Sequence, residues 1–285
     1  MKYASARAFR NALNARLREQ AGAGEDLARL QRRLAYERFL VRLFGLVGDT
    51  WVLKGGYALE LRLGGKARAT QDLDFNAPTG VDLLDVLQDA AEQELSDFFR
   101  FVVQPPNRGK LAGPPEGGQR FRVQAFLDGA QPYTTFLIDV GQGDLLISAT
   151  DHLPARVDVT FAGLAAVTFP TYPLPEHFAE KVHAYTRPRP DGGRTRVKDL
   201  LDLSLLITEL YLQPSPHLAH VLRAVFAHYG THGLPQRLPP PPADWQFPFQ
   251  AMAQGLDHPL TDMTLALAGV QAVLDASLTQ GEAAL

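Results

Sequence analysis

The chain has 285 residues, 46 % of them apolar, and a formal net charge of −3, which suits one large or two modest globular domains. No apolar run reaches the ~18 residues a membrane-spanning helix needs, and "MKYASARAFRNALNARL" lacks the apolar stretch and cleavage site of a secretory signal, so neither a membrane protein nor a secreted one is expected. The absence of cysteine excludes disulfides, iron–sulfur clusters and a thiol nucleophile, and fits a reducing, cytoplasmic setting.

In chain order, residues 4–20 and 26–46 read as two helices split by "AGAGE". The second carries Leu27, Leu30, Leu34, Phe39, Leu40, Leu43 and Phe44 at helical spacing. Charge gathers here: residues 1–45 hold ten Lys/Arg against four Asp/Glu, a balance of +6, which leaves −9 on residues 46–285. Phosphate neutralisation needs local positive charge, so a nucleic-acid partner is expected on these arginines, Arg29, Arg32 and Arg33 among them. The alternative is that they, with Arg38 and Arg42, merely solvate the outer face of a helix.

"TWVLKG" then reads as a short buried strand closed by glycines, "YALELRL" as a short helix and "DLDF" as a strand, followed by a helix over 81–97. "FRFVVQ", "QRFRVQAFL" and "TTFLIDVG" are strands by their β-branched and aromatic content. The loop "PPNRGKLAGPPEGG" between the first two is too rich in Pro and Gly for regular structure. From Pro175 onward the pattern is helical, near 176–186, 196–211, 215–229 and 260–279, broken at Pro239–Pro242 and "ADWQFPF". An α+β fold follows, with a mixed α/β domain and N-terminal helices over 1–170 and an all-helical domain over 171–285.

Chemistry concentrates at "DLDF". On a strand Asp72 and Asp74 share one face while Leu73 and Phe75 anchor the other. Two carboxylates that close require either a proton or a cation between them, and Mg²⁺ is a hard ion suited to such a pair. Asp139, near the end of the apolar run Phe136-Leu137-Ile138, could join them from a neighbouring strand or simply face water. Gly55-Gly56 follows a strand and opens a helix, where backbone N–H groups can meet a phosphate. Gly65-Lys66 lacks the upstream glycine of a Walker A loop.

In the second half, Phe178, Val182 and Tyr185 form one stripe, with Lys181 at its edge and Glu180 almost opposite, as plain surface. In "RVKDLLDLSLLITEL" the helix wheel groups Lys198, Asp202 and Glu209 as the polar face and sets Asp199 amid leucines. A carboxylate buried there needs a cation, for which Lys181 is the natural candidate. His177 and His183 are six apart and no H-E-x-x-H occurs, so the histidines read as surface residues.

The ordered set K-G-G (54–56), D-L-D (72–74), I-D-V (138–140), E-K-V-H-A (180–184) and R-V-K-D-L-L-D-L (196–203) resembles the AbiEii/AbiGii-type toxin nucleotidyltransferases, whose core is similar to polymerase-β-like nucleotidyltransferases. The resemblance covers roughly residues 50 to 205. It implies that Gly55 and Gly56 shape a triphosphate pocket, that Asp72 and Asp74 hold Mg²⁺, that Lys181 contacts phosphates and that Asp199 completes the active site. Arg68 and Thr70 match an R-x-[S/T] element and would bind nucleotide. Asp139 and Asp199 compete as the third carboxylate. The implied activity is transfer of a nucleotide from a nucleoside triphosphate to RNA, in particular a tRNA 3′ acceptor end, by the toxic half of a two-gene system whose antitoxin comes from the adjacent gene. The alternatives are transfer to a protein or small molecule, and a non-catalytic nucleotide-binding module.

Overall fold

The computed structural model of the protein describes residues 1–21, 26–105, 117–188, 196–256, 258 and 261–283. The break in "AGAGE", most of the "PPNRGKLAGPPEGG" loop and the expected start of the last helix at 260 lie outside the described residues. The chain divides into two compact units. Met1–Leu61, Ala69–Asp144 and Thr150–Thr171 form the first; Arg62–Arg68, Leu145–Ala149 and Tyr172–Leu285 form the second.

The described strands of the first unit are β1 (Val52–Lys54), β2 (Asp72–Ala77), β3 (Phe99–Gln104), β4 (Gly118–Leu127), β5 (Thr134–Gln142), β6 (Asp151–Pro154) and β7 (Thr168–Thr171). They join in one mixed sheet of order β3-β4-β5-β2-β1-β7-β6. β2 runs parallel to β5 and β1 to β7, and the other pairs are antiparallel. Strand alternation buries Leu73 and Phe75, Phe121 and Val123, and Phe136 and Ile138 on one face, in a core shared with Leu34, Phe39, Leu40 and Leu43. Those four belong to α2 (Leu27–Val47), which follows α1 (Ala6–Ala21). Truncating any of these buried aromatics to Ala costs about 3–5 kcal/mol. The opposite face of the sheet carries Asp72, Asp74, Asp139, Arg120 and Arg122. α3 (Gly55–Leu63) begins directly after β1, and α4 (Leu83–Glu92) precedes β3.

Neither reading of the α2 arginines fits Arg33, Arg38 and Arg42, which are buried, while Arg29 and Arg32 are half-buried. Arg29 Nε and Arg33 Nη2 each lie 2.9 Å from Glu60 Oε1. Arg38 Nε and Arg42 Nη2 lie 2.7 Å from the two oxygens of buried Asp97. Arg32 donates to the Thr70 carbonyl at 3.3 Å. Burying these guanidiniums is tolerable because their carboxylates are buried with them. Burial alone would raise the Asp97 carboxyl, but Arg42 and Arg38 outweigh it and hold it below its ordinary value.

Glu37, also on α2, gives a pH prediction. Its carboxylate accepts from Tyr57 Oη at 3.1 Å, the Arg156 amide at 2.6 Å and the Val157 amide at 3.0 Å. Burial nevertheless outweighs these donors and pushes its pKa up to about 7. The folded state therefore binds this proton more tightly than the unfolded chain, and the associated stability is lost as pH rises from about 4.5 to about 7. Glu37→Gln should flatten the fall of unfolding temperature across that window; an unchanged slope would show that Glu37 is not its source.

Two strands and one helix escaped the sequence pattern. β6 and β7 have four residues each, too few for an alternation to register. α8 (Gln246–Gln254) takes in the last four residues of the expected break, because Pro248 sits in its first turn, where no helical N–H is lost.

The second unit packs α5 (Leu174–Thr186), α6 (Val197–Thr208), α7 (Pro216–Tyr229), α8 and α9 (Met263–Ala283) around Phe178, Val182, Leu200, Leu203, Leu222 and Leu274. The Ser215 side chain caps α7 by accepting from the Leu218 amide at 3.0 Å, and Gly230, at φ 60°, ends that helix. His177, His183 and His258 are buried, which corrects their reading as surface residues. Among the described residues neither ring nitrogen of His177 has a hydrogen-bond partner. Burial first, and the Lys181 charge second, hold its pKa well below the ordinary value.

Candidate active site

On β2, Leu73 and Phe75 point into the core and Asp72 and Asp74 to the polar face. Strand register carries that face sideways. Asp74 pairs with Lys54 of β1 and with Asp139 of β5, and Asp139 pairs with Arg120 of β4. A row Arg120–Asp139–Asp74–Lys54 thus crosses four adjacent strands, two acids flanked by two cations. Asp72, two residues along β2, adds the third carboxylate. One oxygen each from Asp72, Asp74 and Asp139 lie within 4.8 Å of one another. The acid that joins the D-x-D pair on this sheet is Asp139.

Each acid is held. Thr70 Oγ1 donates to Asp72 Oδ1 at 2.6 Å. Arg120 clamps Asp139 through Nε at 2.6 Å and Nη2 at 2.5 Å. The bond to Asp139 first, and the charges of Asp139, Asp72 and Asp74 behind it, raise the Arg120 pKa. Lys54 Nζ forms an ion pair with Asp144, whose side chain is wholly buried. Asp144 is fixed in turn by Asn76, which donates to its carbonyl at 3.0 Å and accepts from its amide at 3.2 Å.

Gly55 explains how Asp74 reaches this position. It has φ +66°, in the left-handed region, and a Cβ there would overlap Asp74 Oδ2 and come within 2.6 Å of its Cγ and 2.9 Å of its Cβ. The carboxylate of Asp74 occupies the space a side chain would take at the first residue of α3. Gly56, buried, follows in the same first turn. Three carboxylates this close repel unless a cation lies among them, and hard oxygen donors are the set that Mg²⁺ prefers.

The remaining expected site residues belong to the helical unit. Lys181 Nζ lies 2.7 Å from Asp202 Oδ2 and 3.3 Å from Asp199 Oδ1. Arg196 Nη1 is 2.7 Å from Asp199 Oδ2, and Arg68 grips Asp202 through Nε and Nη2 at 3.0 Å each. Lys181 does meet Asp199, but its shorter bond goes to Asp202. Asp202 is 0 % exposed and Asp199 7 %. The expected polar face of α6 is therefore wrong at Asp202, although Lys198 is exposed. The wheel considered α6 alone, whereas the cations that make burial of Asp202 possible come from α5 and from Arg62–Arg68. Burial would raise the Asp202 carboxyl, yet Lys181 and Arg68 outweigh it and hold it below its ordinary value. Glu180 is no plain surface residue either, since it accepts from Tyr172 Oη at 3.0 Å and Tyr229 Oη at 3.1 Å.

The sequence reading missed Arg120, the Lys54–Asp144 pair and Asp202. "QRFRVQ" signals an alternating strand, but its pairing register with β5, which brings Arg120 to Asp139, is not a local property.

Residues 38–276 match the model of the family described as nucleotidyl transferase AbiEii toxin, type IV toxin-antitoxin system. The protein belongs to that family, as the motif resemblance implied, and is thereby a nucleotidyltransferase toxin of a type IV toxin-antitoxin system. Among solved structures, MenT4, a nucleotidyltransferase toxin from Mycobacterium tuberculosis H37Rv, matches with a TM-score of 0.57 at 20 % identity, over 93 % of this chain and 89 % of that one. This likeness shows the fold: a mixed sheet with flanking helices and a helical C-terminal half. JHP933 from Helicobacter pylori is 17 % identical, over 89 % of this chain and 94 % of that one, with a TM-score of 0.45. No curated protein gives a significant match. Among the described residues no helix is long and apolar enough to cross a membrane.

Proposed function

We propose that the protein transfers a nucleoside monophosphate from a nucleoside triphosphate to the 3′ acceptor end of a tRNA, with Mg²⁺ held by Asp72, Asp74 and Asp139. The supporting observation is that three carboxylates converge in register on β2 and β5, with Asp74 lying over the first residue of a helix. The donor set fits the ion, since it is all oxygen and each acid is already positioned. Bound there, Mg²⁺ would supply neutralising charge for the triphosphate as pyrophosphate leaves.

The chain's own residues do the rest. Gly55 and Gly56 bring the unpaired amides of the first turn of α3 to the phosphates. Thr70 fixes the orientation of Asp72, and Arg120 that of Asp139. Arg68, Lys181 and Asp199 meet one another's charges or those of their neighbours in the helical unit. Single-stranded RNA ends leave both their backbone and their unstacked bases accessible to side chains, which suits an acceptor presented to an open sheet face. The proposed protein partner is a cognate antitoxin encoded by the adjacent gene.

Labelled triphosphates incubated with total tRNA, with protein extract or with no acceptor test the proposal. Label should enter tRNA alone, and a chelator should abolish it. Label in protein would move the acceptor to another class, and no transfer with Mg²⁺ present would defeat the catalytic reading.

A further inference from the structure

The polar face that carries the three acids continues over β4 and β3, and we infer that this continuation is a rail for the phosphodiester backbone of an RNA acceptor, with Arg122 and Arg100 as its phosphate contacts. The inference rests on the proposed function for its choice of occupant.

Register places the rail. Arg122 pairs with Leu137, which pairs in turn with Asp72, so it lies two residues, about 7 Å, along β4 from Arg120 and in the row of Asp72. Arg100 of β3 pairs with Phe126, six residues from Arg120, or about 20 Å along the strand. Gln104 pairs with Arg122, and Val102 with Gln124. All these side chains share the face of Asp139 and Asp74, since paired residues point the same way. Their neighbours on the other face, Phe99, Phe101, Val103, Phe121, Val123 and Ala125, are buried in the core.

The face is open. Arg100, Gln104 and Arg122 are exposed, and Val102 is 37 % exposed. Among the described residues, Arg100 and Arg122 have no acidic partner, unlike Arg29, Arg33, Arg38, Arg42 and Arg120. Arg100 lies instead over the Phe126 ring, 4.2 Å from its centroid, a flat cationic surface suited to phosphate and to an unstacked base. On the other side of the acids, Lys54 is paired with Asp144 and His152 of β6 with Asp49. Charge complementarity thus favours a polyanion on the β4–β3 side, continuous with the acids where a strand end would react.

The test compares R100Q/R122Q with the wild type in binding a labelled single-stranded RNA and total tRNA over a salt series. Two lost phosphate contacts should weaken binding about tenfold near physiological salt and reduce the log–log salt slope by about 1.4. R100K/R122K should restore both, and R7Q/R18Q, which removes the same charge from exposed positions of α1, should change neither. Matching unfolding temperatures would show that all three variants are folded. Triphosphate binding should be unaffected. Unchanged RNA affinity in R100Q/R122Q, equal weakening by R7Q/R18Q, or a wild type that binds no RNA would each overturn the rail; the first is also the result if a protein covers this face instead. Transfer measured in parallel separates the two readings. Wild type that binds RNA through Arg100 and Arg122 yet labels none would defeat the proposed acceptor and leave the rail standing. Labelled RNA with unchanged binding in R100Q/R122Q would do the reverse.

Discussion

Asp74→Asn, and equally Asp72→Ala, should lower nucleotide transfer by at least ~10³-fold, because placing charge against the triphosphate supplies several kcal/mol of transition-state stabilisation. The fold should survive. Both side chains leave the sheet on its polar face, while Leu73 and Phe75 between and beside them carry the packing. Removing one of three carboxylates within 4.8 Å of one another also relieves repulsion, so the unfolding temperature without metal should hold or rise. Added Mg²⁺ should raise the wild-type unfolding temperature and leave that of Asp74→Asn unmoved. Gly55→Ala should mimic the loss of transfer by another route, since its Cβ would displace the Asp74 carboxylate and φ +66° disfavours any L side chain. Full transfer in Asp72→Ala and Asp74→Asn would remove this site from consideration; full transfer in Gly55→Ala alone would show only that Asp74 can shift.

What the sequence disclosed was what depends on neighbours in the chain. Alternation in "DLDF" separates two acids from two anchors without reference to any other strand, and the glycines mark where a strand meets a helix. Asp139 was legible as an acid beside an apolar strand run, but its place inside β5 and its meeting with Asp74 depend on the parallel β2–β5 register, which joins segments more than sixty residues apart. Charge was the least reliable guide. Arginine in a sequence reads as surface, yet Arg33 is buried by a carboxylate 27 residues away and Arg38 by one 59 residues away. The same error in the opposite unit put Asp202 on a solvent face. In each case a partner distant in sequence turned a costly burial into a tolerated one, and no helix wheel contains that partner.

Asp202 is therefore where the second large effect is expected, on stability rather than on metal binding. Asp202→Asn would leave Lys181 and Arg68 facing a neutral amide in a buried setting, and breaking a buried pair from one side typically costs about 3–5 kcal/mol. Asp199→Asn should cost less, about 1–2 kcal/mol, because Arg196 is partly exposed and can turn to water while Lys181 keeps Asp202. The pH dependence gives an independent readout. Burial works against Asp202 ionisation and Lys181 and Arg68 outweigh it, so its contribution is present above the ordinary carboxylate range and is lost as pH falls through the depressed value. Burial likewise works against the Lys181 ammonium, and Asp202 followed by Asp199 outweighs it. That contribution is present below the ordinary lysine range and is lost as pH rises through the elevated value. Urea titrations of Asp202→Asn across pH should show both arms shrink, whereas Asp199→Asn should retain most of each. If Asp199→Asn proves the more damaging to stability, the cluster is centred on Asp199 after all, and Lys181 would have to take its main partner there despite the 2.7 Å bond to Asp202.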